Sequence, residues 1–300
     1  MKLQGLKIAI SASDAPDRAR LGLPEHEVDR VVLTLCTTIV REGAEVLYAG
    51  NLAPDQYTFK IFRHLAGAYA SRSATPPFQH IVPEPIARRS GFDALHAALR
   101  ENVAVAQTRI CIGGHLVRVR ASNAALLIGE ANPGRRTVED EAGWEAWLAS
   151  HPVIDPYTAY TVARAAVTAE ADARIAIGGK LGVTDNAADR YEGAIPGIFE
   201  EAIMTLEADK PLIALGAYGG AARDLAIALE VLDRGERVPR GDQQDGYAEA
   251  VDRAAALGRR IPDAVRPALS ALANDDRAEA ISHAVVEAVL SWRGATGPIA

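Results

Sequence analysis

Cysteine is scarce in this chain: two among 300 residues, Cys36 and Cys111, each inside an apolar stretch. That excludes a disulfide-stapled scaffold and points to buried structural thiols in a reducing compartment. Positive charge is also in short supply. Lys and Arg number 32 against 39 Asp and Glu, a net charge of −7, and the basic residues are scattered. A nucleic-acid polymer needs a basic face, so such a partner is not expected. Long apolar runs are missing too. None approaches a membrane span, and the opening MKLQGLKIAISAS is too short in its apolar part for a signal peptide. The expected setting is the cytoplasm, with no membrane partner.

Several chemistry-bearing motifs are absent. There is no HExxH and no Cys/His cluster, so no metal site is implied. There is no GxSxG nucleophile elbow and no GxxxxGK[ST] phosphate loop. The first apolar strand is not followed by G-x-G-x-x-G, which counts against a standard NAD dehydrogenase. No cofactor is implied. The seven histidines are isolated, with His115 beside Gly114 the one worth watching.

What is present is ample core material, 49% hydrophobic residues, in short alternating blocks. Lys7–Ser11 reads as a buried strand. Val28, Val31, Val32, Leu35, Ile39 and Val40 recur at helical spacing, with Pro24 before them and Gly43 after. Glu45–Tyr48 reads as a strand closed by Ala49-Gly50-Asn51, followed by a helix from about Pro54 to Leu65. Residues 71–77 read as a loop and Gln79–Val82 as a strand. Gly91–Gln107 has helical spacing, and Arg109–Ile112 is a strand ending in Gly113-Gly114. Short apolar strands alternating with helices imply an α/β fold, a doubly wound parallel sheet covered on both faces. RICIGGHL (Arg109–Leu116) echoes RIAIGGKL (Arg174–Leu181) at six of eight positions. The flanks do not repeat, so two glycine-ended strands of one sheet explain the echo better than a duplication. Ala124–Ile128 is strand-like, Asn132–Arg136 is a turn, and Val138–Leu148 carries Trp144 and Trp147. This segment reads as a cover for a sheet edge, a lid or a subunit contact.

The chain is organised around Ala173–Gly220. Two strand-like runs, Arg174–Ile177 and Pro211–Leu215, each end in a glycine turn, and a helix opens at Pro196-Gly197 between them. A strand, a glycine turn and a helix start make a seat for an anion, because unpaired amides point outward there. Strand ends of such a sheet converge on one edge. The candidate ligand-binding residues are therefore Ser11, Ser13, Gly50, Asn51, Gly178, Gly179, Lys180, Gly197, Glu201, Gly216, Tyr218, Gly219 and Gly220. Tight turns want glycine whatever the function, so the case rests on four exits together. Glu200 and Glu201 stand in the first helical turn, where the dipole alone favours acids. They point about 100° apart, so one faces a pocket. Arg164, on the preceding helix, reads either as a solvated residue or as a phosphate clamp. Asp155-Pro156 starts that helix, which runs to about Glu170. Beyond the central stretch, Ala221–Leu232 is helical, 233–246 is polar and linker-like, and 247–300 is an Ala-rich helical tail interrupted at Pro262 and Pro267. The expected division is 1–232, a linker at 233–246, and the tail.

KIAISAS, EVLYAGN, ARIAIGGK…GAIPGIFEEA and KPLIALGAYGGAA, in that order, resemble the SLOG superfamily over about residues 5–232. It groups the lonely-guy phosphoribohydrolases and lysine-decarboxylase-like proteins with nucleotide-sensor domains of bacterial conflict and immunity systems. The resemblance implies a Rossmann-like α/β fold that forms dimers or larger assemblies. The superfamily's enzymes carry P-G-G-x-G-T-x-x-E. Here Gly178-Gly179 matches the double glycine, and the loop Lys180–Pro196 intervenes before Gly197-Ile198-Phe199-Glu200-Glu201 resumes the pattern. Glu201 falls at the catalytic glutamate, Ile198 replaces threonine, and Arg164 falls near the enzymes' arginine. The altered signature favours a sensor of a nucleotide derivative, such as an ADP-ribose derivative, in antiphage or stress signalling. The alternative is a phosphoribohydrolase or N-glycosidase with Glu201 and Arg164 as catalytic residues. A third reading is a partner-binding protein using the Trp144/Trp147 segment and the tail.

Overall fold

The computed structural model describes residues 1–24, 26–52, 56–69, 76–130 and 134–296. Expectations at Pro54, 71–75 and Asn132-Pro133 lie outside these. The chain forms two compact units, 1–44 with 170–300, and 45–169. The fold is α/β and Rossmann-like.

The first unit holds three parallel strands, β1 (Lys7–Ser13), β8 (Ala173–Gly178) and β9 (Leu212–Leu215), with β8 in the middle. Ser11 pairs with Ala176 and Ser13 with Gly178, so β1 and β8 end level. All six residues of β8 are buried, as a parallel strand covered on both faces requires. Helix α1 (His26–Arg41) buries the Val28, Val31, Leu35 and Ile39 stripe. Helix α7 (Gly197–Glu207) packs on β8 and β1, and α8 (Gly220–Ala228) on β8 and β9.

The C-terminal helices belong to this same unit. Helix α9 (Tyr247–Leu257) covers α7 and α8, α10 (Arg266–Ala273) covers β9, and α11 (Ala278–Thr296) lies along α1. Pro267 sits in the first turn of α10, where its missing N–H costs nothing. Residues 233–246 are tied down rather than linker-like. The Arg240 guanidinium grips the buried Asp224 carboxylate of α8 with two bonds of 2.6 and 2.7 Å, and Tyr247 Oη donates to Asp224 at 2.7 Å.

The second unit carries β2 (Glu45–Ala49), β3 (Phe78–Pro83) and β4 (Ala106–Ile112) in parallel. Three antiparallel strands then extend the sheet from β4: β5 (His115–Ser122), β6 (Ala125–Ile128) and β7 (Arg136–Val138). Helices α2 (Tyr57–Tyr69), α3 (Glu84–Arg89), α4 (Phe92–Asn102), α5 (Glu141–Ala149) and α6 (Pro156–Glu170) accompany them, α6 ending at the boundary residue Glu170.

Two expectations change here. Gly113-Gly114 is not a crossover exit but a two-residue hairpin turn: both φ are positive, 55° and 81°, and Ile112 pairs with His115. The alternating HLVRVRAS after it pairs back, whereas KLGVTDNAA after Gly179 does not alternate. His115 is exposed at the start of β5. Trp144 and Trp147 are spent in the core of this unit rather than on its surface. Trp144 is fully buried and stacks on Trp147, and Trp144 Nε1 donates to Ser90 O at 2.8 Å in an apolar cluster with Phe92, Leu95 and Val138.

Candidate functional site

Three chain passages of the first unit meet where β1 and β8 end. Gly179 N donates to Ser13 O at 3.1 Å, and Ala221 N at the start of α8 donates to Gly179 O at 3.1 Å. A Cβ on Gly178 would lie 2.2 Å from Ser13 O, and one on Gly220 2.3 Å from Gly179 O. Both residues also have positive φ, so glycine is required here by close backbone approach and by conformation together. The first turn of α7 closes the group: a Cβ on Gly179 would lie 2.5 Å from Ile198 Cγ1. Ser11, Ser13, Gly178, Gly179, Gly197, Glu201, Gly219 and Gly220 thus share one neighbourhood of this unit.

Within it Glu201 faces inward. Arg174, the second residue of β8, donates from Nη1 to Glu201 Oε2 at 2.8 Å and to Ser11 Oγ at 2.6 Å. Ser11 Oγ donates to the same Glu201 oxygen. Arg174 Nε donates to Thr205 Oγ1 at 2.8 Å, and Thr205 Oγ1 donates to Glu201 O at 2.7 Å. The Arg174 side chain is 2% exposed and that of Glu201 16%. A buried guanidinium demands such partners, since a lone buried charge is far costlier than a pair. The cluster fixes where the Glu201 carboxylate stands.

The two helix starts differ. At α8 the amides are spent inside the protein. Gly219 N donates to Gly216 O at 3.0 Å, and Gly220 N donates to Asp17 Oδ1 at 2.7 Å. A side-chain carboxylate therefore occupies the place expected for a phosphate. Asp17 is 6% exposed, and its Oδ2 has no hydrogen-bond partner among the described residues. An unpaired buried acceptor costs on the order of 1–3 kcal/mol. At α7 the N-cap is Pro196, which has no side-chain group to cap the first amides.

Gly216 and Tyr218 face the C-terminal helices instead. A Cβ on Gly216 would lie 3.0 Å from Ala273 O, and Tyr218, fully buried, donates from Oη to Asp276 O at 2.9 Å. Burial pushes the Tyr218 hydroxyl well above its ordinary range.

Lys180 is exposed and donates to Arg190 O at 2.7 Å across the long loop. That loop is built on Asp189, whose carboxylate accepts from Leu181 N and Val183 N, both at 2.8 Å. Burial raises the Asp189 carboxyl above its usual range against the pull of those amides. Gln243 and Gln244 fasten the loop from outside, at Leu181 O and Gly182 O, both at 2.7 Å.

Gly50, Asn51 and Arg164 belong to the second unit. A Cβ on Gly50 would lie 2.3 Å from Tyr48 Cε1, so packing accounts for this glycine. Its carbonyl bonds His80 Nε2 at 3.2 Å. Asn51 follows β2 and is half-buried, and Arg164 lies over the Tyr160 ring at 5.7 Å.

Arg174, Thr205 and Asp17 are the residues that sequence reading missed. Arg174 had a signal: one guanidinium in an otherwise apolar buried strand must have an internal partner. Asp17 had none, since its partner lies 203 positions away. Among the described residues no three His, Cys, Asp or Glu side chains group as a metal site, and no helix is long and apolar enough to cross a membrane.

No curated protein matches the chain. The family model described as SLOG cluster2 matches residues 2–124 and 136–261, passing through both units and to the end of α9 and beyond. The chain belongs to the SLOG cluster2 family.

Proposed function

We propose that this protein is a sensor that binds a nucleotide-derived small molecule, an ADP-ribose derivative being the leading candidate, in antiphage or stress signalling. The observation that carries the reading is the meeting of the β1 and β8 ends with the first turn of α7 around Gly178-Gly179. The α7 start, with Pro196 as its cap, seats a phosphate on its amides. Glu201, held by Arg174 and Ser11, accepts a ribose hydroxyl, and Lys180 adds charge at the rim. The phosphates belong at α7 rather than at Gly216–Gly220, where Asp17 already stands.

Hydrolysis is the weaker reading. Where the superfamily's enzymes place a threonine hydroxyl, Ile198 covers Gly179 and is 7% exposed. Glu201 spends an oxygen on Arg174 and Ser11. The protein is proposed to act as a homo-oligomer, which its mass in solution reports. Isothermal titration with nucleotides and ADP-ribose derivatives tests the sensor: micromolar binding of one class supports it, and silence across a broad panel rejects it. Release of base or ribose phosphate, abolished in Glu201→Gln, would establish the enzyme instead.

A further inference from the structure

The Asp17 carboxylate sets an electrostatic rule for the site just described. Its Oδ1 takes the Gly220 amide at 2.7 Å, and the neighbouring amides of Gly219 and Ala221 are bonded to Gly216 O and Gly179 O. The first three amides at the start of helix α8, nine residues long, are therefore taken inside the protein, and a carboxylate stands at that start. A carboxylate at this start repels a phosphate and has already taken the amide that would greet it. Asp17 Oδ2 is the reverse case: an acceptor, unpartnered among the described residues, on a side chain more than nine-tenths buried. Burial shields it from bulk solvent, so a donor that satisfies it must be seated in the fold.

We propose that Asp17 is a specificity-determining residue of the ligand site, accepting an uncharged hydroxyl or amino donor of the ligand on Oδ2 and rejecting a phosphate at the α8 start. The proposal rests on the nucleotide-sensor reading and divides the ligand between two helix starts. Its phosphate end lies at α7, and a neutral, hydrogen-bonding end of sugar or base lies at α8. Gly219 and Gly220 serve the site indirectly, since a Cβ on Gly219 would lie 2.5 Å from Asp17 Oδ1 and displace the carboxylate.

The test titrates the full chain with ADP-ribose, with analogues lacking one ribose hydroxyl at a time, and with the analogue in which the adenine amine is replaced by oxygen. The same series is run on Asp17→Asn, which keeps an acceptor for Gly220 N and turns the other position into a donor. One analogue is expected to bind the unaltered protein about tenfold more weakly, a loss of about 1.4 kcal/mol. Asp17→Asn should bind ADP-ribose at least tenfold more weakly and no longer distinguish that analogue. Equal binding of ADP-ribose by both proteins overturns the role of Asp17 and leaves the sensor standing. Silence of the unaltered protein toward the whole series overturns this assignment, and the sensor reading is then decided by the broad nucleotide panel. If Asp17→Asn does not fold, the unaltered protein decides alone: equal affinity for every analogue overturns the proposal.

Discussion

Arg174 Nη1 and Glu201 Oε2 stand 2.8 Å apart, joining the start of β8 to the first turns of α7 inside the first unit. Removing one partner leaves the other charge buried, so Arg174→Met should cost about 3–5 kcal/mol. Replacing both, as Arg174→Met with Glu201→Leu, should recover more than half of that loss, because no orphan charge remains. Urea unfolding followed by circular dichroism measures the three proteins. Additive losses would show that the two residues do not act as a pair.

His80 gives the second unit an acid-sensitive core. Burial pushes its imidazole down to about 4, below its ordinary value near 6.5. The neutral ring is the native form, so its contribution is complete above about pH 6.5. It is lost as pH falls toward 4, by roughly 3 kcal/mol in full. In a Trp292→Phe background, Trp144 and Trp147 report on this unit. His80→Gln should flatten the change in urea midpoint between pH 7 and 4.5, and an unchanged slope would assign the acid sensitivity elsewhere.

Glycines with similar backbone angles should differ sharply in tolerance. Gly220 (φ 66°) has Gly179 O 2.3 Å from its Cβ position, and Gly22 (φ 75°) has nothing within 4 Å. Gly22→Ala should cost about 1–2 kcal/mol from left-handed strain alone. Gly220→Ala adds a backbone clash and should cost more than about 4 kcal/mol, visible as loss of soluble protein or a collapse in Tm. Similar Tm values for the two variants would refute the close packing at the α8 start.

A chain ended at residue 232 should not fold stably. Asp224, 1% exposed, would lose both Arg240 and Tyr247, and α7 and α8 would lose the cover of α9. Arg240→Ala is the milder probe: it should raise amide exchange across 233–246 while leaving the second unit protected. Soluble, protected 1–232 would contradict this.

Both cysteines are buried, and burial pushes the Cys111 thiol up to about 11 and Cys36 higher still. Neither should react with a disulfide reagent at pH 8 until urea unfolds the chain. Stoichiometric labelling of the native protein would show that a thiol reaches solvent.

Much of the fold was legible because hydrophobic spacing is local. The α1 stripe, the glycine-ended β8 and the Pro196-Gly197 helix start each carry their signal within a dozen residues. The antiparallel extension was less legible. RICIGGHL and RIAIGGKL differ little, and the segments after them, one alternating and one not, decide between hairpin and crossover loop.

The sequence by itself determined the α/β class and the glycine-ended β8 strand, since these follow from period and turn chemistry; helix geometry let only one of Glu200 and Glu201 face inward, and the fold decided that it is Glu201. Only the tertiary structure decided who partners the charges: Arg174 for Glu201 across 27 positions, Arg240 for Asp224, and Asp17 for the α8 amide at Gly220. Buried charges must be paired, but the partner is whichever group the folded chain brings within about 3 Å, and spacing along the chain does not encode that meeting.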